Sequence, residues 1–324
     1  MPARPARTTI PADAARRLWV RWVVDSLFML WLTTWSATIV CAQDDTGTTD
    51  QGKSAAEPAT KEAEAPAEQS FFFWMDNSIT VLPYGWGFAV DPEEQSTLTF
   101  EHAHESAIGD LFFFIDLTRF HDIPDELGDD AKWTWYGEIS PRLSVGKILD
   151  QDLSFSLFRR SLFEFKDVLL AAQYERGEDP DVAEAALAGL GLDLDVREAG
   201  LLGRLGKFKY VQLNLYARAE LTETQREGFR DMQVTMVAAY PLELGSTRFL
   251  IDGYFDWVVG IGSEQSSFHF NPQVKLDVGN YWGKPEKLYA GVELDFWWDK
   301  YQIKDSSAFD TNQQAVSLLL KYHF

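Results

Sequence analysis

Four short stretches of this chain interleave aromatic rings with ionisable or amide side chains. Phe112, Phe114 and Asp116 form one set, and Tyr136, Glu138 and Arg142 a second. Asn214, Tyr216 and Arg218 form a third, and Asp252, Tyr254 and Asp256 a fourth. Successive side chains of an extended strand point to opposite sides, so residues two apart share a face. Each set then puts flat rings beside hydrogen-bonding groups on one surface. That arrangement suits weak, reversible capture of a flat polar solute such as a nucleobase with its ribose.

Residues for covalent catalysis are sparse. The 5 histidines are His102, His104, His121, His269 and His323. His102-Ala103-His104 puts two imidazoles on one strand face with Ser106 near in sequence, which keeps an outer-membrane lipid hydrolase among the alternatives. Such an enzyme needs a nucleophile, a histidine base and an orienting group, and no Asn-Ser-Gly-type elbow follows. The same pair resembles half a metal site without a second cluster, and reads better as a pair at a membrane interface. Cys41 is the 1 cysteine, which removes cysteine-based metal sites and, after cleavage at Ala42, thiolate chemistry. No catalytic residue, metal or cofactor is expected.

The elements that would position the four sets are strands with two unlike faces. In 132–145, Trp133, Trp135, Ile139, Pro141, Leu143 and Val145 fall on one side. Thr134, Tyr136, Glu138, Ser140, Arg142 and Ser144 fall on the other. The alternation returns in 211–221, 249–257, 268–278 and 288–298, and the charged residues keep to one face. A charge at a bilayer midplane costs roughly 2–4 kcal/mol on the lipid side of a barrel, so this segregation separates a membrane barrel from a soluble sandwich. If Leu111, Phe113, Ile115 and Leu117 face lipid, then Phe112, Phe114, Asp116 and Phe120 line the lumen.

Strands are expected near 77–89, 96–105, 110–120, 132–145, 163–174, 183–194, 208–221, 230–240, 247–259, 267–278, 287–299 and 313–324. Val182–Leu194 is Ala-rich and could be helical by propensity, and Phe158–Ala172 has mixed spacing. An open sheet edge cannot stand in lipid, so both are assigned to the sheet. Turn chemistry separates the strands, and acidic loops are expected at Val90–Gln95, His121–Asp130 and Glu175–Asp181. The fold class is therefore all-β: a transmembrane antiparallel up-and-down barrel of about 12 strands, with both termini in the periplasm.

Composition agrees. The net charge of −21 argues against a nucleic-acid partner. Mean hydropathy is −0.21, too low for a bundle of membrane helices, while aromatics reach 14% with 12 Trp. Arg4, Arg7, Arg16, Arg17 and Arg21 precede the mostly apolar run Val23–Val40, and Val40-Cys41-Ala42 offers a cleavage site after Ala42. The expected domains are a signal peptide at 1–42, a disordered acidic tether at 43–70 and an outer-membrane barrel at 71–324. The tether lacks large apolar residues and cannot offset the entropy of ordering it.

Glu138-Ile139-Ser140-Pro141-Arg142-Leu143-Ser144, followed by Asp152-Leu153-Ser154-Phe155, resembles the Tsx family of nucleoside-specific outer-membrane channels. Weaker echoes are Phe100-Glu101-His102-Ala103, Asp110–Leu117, Gly228–Pro241, Phe255-Asp256-Trp257 and the terminal Tyr322-His323-Phe324. They run in the family's order over most of 76–324. The chain departs from the family in its tether, in the Ser-Leu-Phe after Phe155 where a glycine is expected, and in Leu194–Lys207. The resemblance implies a monomeric twelve-stranded barrel whose narrow lumen passes nucleosides by diffusion in a bacterial outer membrane. It carries over lumenal positions such as Phe114, Asp116, Glu138 and Arg142. Expected partners are nucleosides, outer-membrane lipid and lipopolysaccharide, and barrel-assembly machinery through Phe324. A non-specific porin and a plugged structural or receptor barrel remain the other readings.

Overall fold

The computed structural model describes residues 70–156, 163–178, 184–196, 207–221, 228–261, 265–304 and 306–324. The expected signal peptide, and the expected tether up to residue 69, lie outside the described residues, as does most of the diverged stretch 194–207. Within them, alternating sequence becomes one closed antiparallel barrel. Its strands are β1 (Phe72–Trp86), β2 (Glu94–Ser106), β3 (Gly109–Phe120), β4 (Trp133–Ser144), β5 (Phe163–Glu178) and β6 (Glu184–Val196). They continue as β7 (Tyr210–Glu220), β8 (Gly228–Leu244), β9 (Thr247–Gly260), β10 (Ser267–Asp277), β11 (Leu288–Trp298) and β12 (Gln313–His323). Each strand pairs with its neighbours in sequence, and β12 pairs with β1 through Ser78–His323 and Thr80–Lys321, so no edge is left. No helix among the described residues is long and apolar enough to cross a membrane.

Burial is inverted relative to a water-soluble domain. Polar Ser78, Thr80, Gln173, Gln233, Thr235, Asn271 and Ser317 are buried, while apolar Ile79, Leu98, Ile139, Leu170, Leu190, Leu215 and Leu318 are exposed. The first group faces the lumen and the second would face lipid. Outward Trp86, Trp133, Trp257 and Trp298 gather at the end away from the chain termini. Tyr322 and Phe324, stacked 6.5 Å apart, stand at the terminus-bearing end. Two such girdles mark the two interfaces of a membrane. His102 and His104 also point outward near that second girdle. His102 Nδ1 lies 2.8 Å from Asn77 Oδ1, its Nε2 2.9 Å from His104 Nδ1, and Phe72 meets His104 edge-on.

Both ambiguous segments are strand over their described parts, 163–172 in β5 and 184–194 in β6. β6 turns Ala185, Leu187, Gly189 and Gly191 inward and Ala186, Ala188, Leu190 and Leu192 outward. Helical propensity of alanine is worth less here than the ladder bonds that β5 and β7 would otherwise lose in lipid. A side chain at Gly189 would strike the Leu215 carbonyl oxygen, so β6 and β7 approach closely only because residue 189 has none. Leu190 sits near the middle of β6 on the outward face. Leu190→Arg is expected to lower the stability of the refolded barrel by about 2–4 kcal/mol, read from denaturant titration in lipid.

Several boundaries differ from expectation: β1 ends at Trp86, Glu94 and Gln95 open β2 and are not loop, and β8 runs on to Leu244. β1 starts at Phe72, five residues before 77, because Phe72–Met75 extends the pairing with β2 as far as Ser106. Val145 is not an outward strand residue but opens a short helix, α1 (Val145–Leu149). Ser144 caps it: its Oγ accepts from the Lys147 amide at 2.9 Å. Glu175–Glu178 is strand, not acidic loop. Glu175 is buried in the lumen wall because Arg218 meets its carboxylate at 2.8 Å.

Candidate functional site: the barrel lumen

β3 and β4 bring the first two sequence sets together on one patch of wall. Register pairs Asp110 with Arg142, Phe114 with Glu138, and Asp116 with Tyr136. Phe112, Phe114 and Tyr136 form a row, with ring centroids 5.9 and 6.0 Å apart. Phe112 is 39% exposed although its strand parity points it inward, so the row is open to the lumen. Thr99 Oγ1 donates to Asp116 Oδ1 at 2.6 Å, and Tyr136 OH donates to Glu138 Oε1 at 2.7 Å. Phe120 lies inward at the far end of β3 but is buried.

The other two sets are placed differently. Arg218 is held by Glu175 at 2.8 Å, by Glu220 at 2.9 Å and by Gln233 Oε1 at 2.8 Å. Gln233 Nε2 donates onward to Asp256 at 3.1 Å, and Thr235 also donates to Asp256. On the other side, Gln173 Nε2 bridges Glu138 at 3.0 Å and Glu175 at 2.8 Å. A continuous polar belt thus runs from Tyr136 on β4 to Asp256 on β9. Asp252 pairs with Lys275 at 2.7 Å, and Tyr254 stands edge-on to His269 with centroids 5.2 Å apart. Tyr216 is 1% exposed and packs with Ala171, Ala185 and Leu187, and Asn214 beside it is also buried. Arg142 is shielded too: its guanidinium is bidentate to Asp110 at 2.8 and 2.7 Å and reaches Asp193 at 2.9 Å. Of the twelve positions singled out by sequence, Phe112, Phe114, Asp116, Tyr136 and Glu138 share the open patch. Asp252, Tyr254 and Asp256 lie elsewhere around the wall. Arg142, Asn214, Tyr216 and Arg218 are sealed into its frame.

Glu138 and Arg142, four residues apart on one face, do not meet, because closer partners across the ladder take each of them. Sequence reasoning overlooked Gln173, Glu175, Gln233 and Thr235 as the belt's connectors. It also overlooked the Lys321–Glu101 ion pair, to which Ser78 adds a 2.8 Å hydrogen bond. That pair joins β12 to β2 across β1. It becomes findable once a closed barrel is assumed, because closure makes the last strand a neighbour of the first.

The lumenal lysines and arginines named here already touch carboxylates. Asp116, Glu138 and Glu293, by contrast, hydrogen-bond to neutral Thr99, to Tyr136 and Gln173, and to Gln273. The lumen can therefore offer aromatic faces and hydrogen-bond acceptors to a neutral or cationic solute, with its fixed cations engaged.

Residues 72–324 match the family described as nucleoside-specific channel-forming protein, Tsx. Two relatives carry the name nucleoside-specific channel-forming protein Tsx, one from Escherichia coli O157:H7 and one from Shigella flexneri. Each is 26% identical over 163 residues, covering 48% of this chain and 53% of the relative. The chain thus spans about half the length of the curated relatives it matches. Among solved structures, the KdgM porin aligns at 10% identity and a TM-score of 0.39, covering 76% of this chain and 99% of its own. An OmpF structure from Salmonella typhi, in complex with daunomycin, aligns at 9% identity and a TM-score of 0.32, covering 77% and 97%. With a closed barrel, an outward apolar surface and a match from the first strand to the last, this chain is an outer-membrane protein of the Tsx channel-forming family.

Proposed function

We propose that this barrel is a passive channel for nucleosides across the outer membrane. The observation that carries the reading is the row Phe112–Phe114–Tyr136 beside Asp116 and Glu138 on one open lumenal wall. Rings offer a sequence-tolerant face to the base, and the two carboxylates accept from ribose hydroxyls. Capture is weak, because a channel must release what it binds. One barrel is the working unit, in contact with lipid and lipopolysaccharide, and Phe324 is the contact for barrel-assembly machinery. No catalytic step is needed.

The test is uptake into liposomes carrying the purified protein. Labelled thymidine should equilibrate faster than a neutral sugar of similar size. Equal rates would reduce the protein to a general porin. Charge supplies a second expectation: in a KCl gradient the reversal potential should report cation over anion preference, weakening as salt screens the wall. An anion preference would mean that the engaged lysines and arginines, not the acids, set the field.

A further inference from the structure

A second cluster of contacts outside the open patch sits at the mouth away from the chain termini, where the β11–β12 connection begins. Trp297, near the end of β11, points inward and stacks on His269 with centroids 3.9 Å apart and planes 12° apart. His269 Nε2 lies 2.9 Å from Asp295 Oδ1. The chain does not then lift away into solvent, the usual course of a rim connection. Lys300 returns over the Trp297 ring, with Nζ 5.7 Å from its centroid, and donates at 2.6 Å to Gln313 Oε1, a lumen-facing amide. The same ammonium meets Asp91 Oδ2 at 2.6 Å on the β1–β2 connection, where Tyr301 OH adds a 3.0 Å hydrogen bond. Gln302 Nε2 donates at 2.6 Å to the Gln265 carbonyl on the β9–β10 connection. Residues 300–302 thus tie three connections together on the lumen side of the wall. Lys300 is only 3% exposed.

The backbone agrees. Asp299, Tyr301 and Gln302 have φ of 50°, 56° and 59°, and Val90, next to Asp91, has φ of 73°. No glycine occupies these left-handed positions, and a β-branched residue is a rare guest there. Such conformations persist where surrounding contacts over-determine them, and they cluster at clamps and switches.

We propose that Asp299–Gln302 is a fixed constriction at this mouth, latched by Lys300 to Asp91, which limits the size of solute admitted to the lumen. The proposal rests on the channel reading above and adds a size filter separate from the aromatic patch.

Liposome swelling with neutral sugars tests it, using full-length wild type, Lys300→Met and Asp91→Asn. Methionine keeps an apolar stem against Trp297 while removing the charge. Entry of raffinose relative to arabinose should rise several-fold in both variants, while thymidine still competes with small solutes. A pure charge effect would push ion selectivity in opposite directions in the two variants and leave the neutral-sugar ratio at the wild-type value. That result overturns the constriction. Heat-modifiable gel migration reports folding, and Gln302→Ala, which cuts the second tether, extends the test. Failure of all three variants to fold would mark the contacts as structural and also overturn it. Leaky variants without any thymidine effect would uphold the constriction and fail the nucleoside reading. Silence of wild type and variants alike would overturn both.

Discussion

Arg218→Leu should destabilise the barrel by about 3–5 kcal/mol, the usual cost of removing one partner from a buried ion pair. The guanidinium side chain is 10% exposed and faces Glu175, 6% exposed, and Glu220, 15% exposed. Leucine, shorter and uncharged, leaves both carboxylates uncompensated on the same stretch of wall. It also removes the donor that orients Gln233, and through it the contact with Asp256. The loss should appear as a lower denaturant midpoint for the lipid-refolded protein. Adding Glu175→Gln should recover part of it, because an amide carries no charge to strand. A midpoint unchanged in Arg218→Leu would mean that water, not Arg218, solvates these acids, and that the belt is not a frame. Solute capture should change far less than stability, since Arg218 lies outside the open patch.

Phe114→Ala combined with Asp116→Ala should act the other way, on solute and not on fold. Alanine substitution of an aromatic that stacks a base typically costs about 1–3 kcal/mol. That corresponds to nucleoside half-saturation weakened by about 5- to 150-fold. Ion conductance should change much less, because removing a ring and one carboxylate from one wall widens the lumen only locally. Asp116 accepts from Thr99, and Phe114 touches Phe112 and Tyr136, so the pair sits at the centre of the patch. Equal loss of nucleoside and ion flux would undo the claim of a specific site. The buried Tyr216 supplies a contrast: Tyr216→Phe keeps the ring packed against Leu187 and should leave nucleoside response unchanged.

Much of this architecture was legible because a barrel wall has a period of two. Parity alone put Phe112, Phe114, Asp116, Tyr136 and Glu138 on the inner surface, and the turns fixed most strand ends within a few residues. Accessibility was not legible in the same way. Tyr216 and Tyr136 have the same parity and similar neighbours in sequence, yet Tyr216 is sealed by Ala171, Ala185 and Leu187 from β5 and β6. Only the stagger between strands decides that. Charge partners were hidden for a related reason. Arg142 lies four residues from Glu138 in sequence but binds Asp110 and Asp193, which register brings closer. The α1 turn had a readable cap in Ser144, but Val145 also suits the outward face of a strand, and the local pattern does not separate the two. The inward course of Lys300 depends on Asp91, more than 200 residues away, and no local signal announces it.

The most direct measurement is the conductance of the purified protein in a planar bilayer during titration with adenosine or thymidine. A nucleoside channel predicts a small conductance that falls saturably as nucleoside is added, with half-effect shifted by Phe114→Ala and not by Tyr216→Phe. A steady conductance indifferent to either nucleoside at saturating concentration would contradict it.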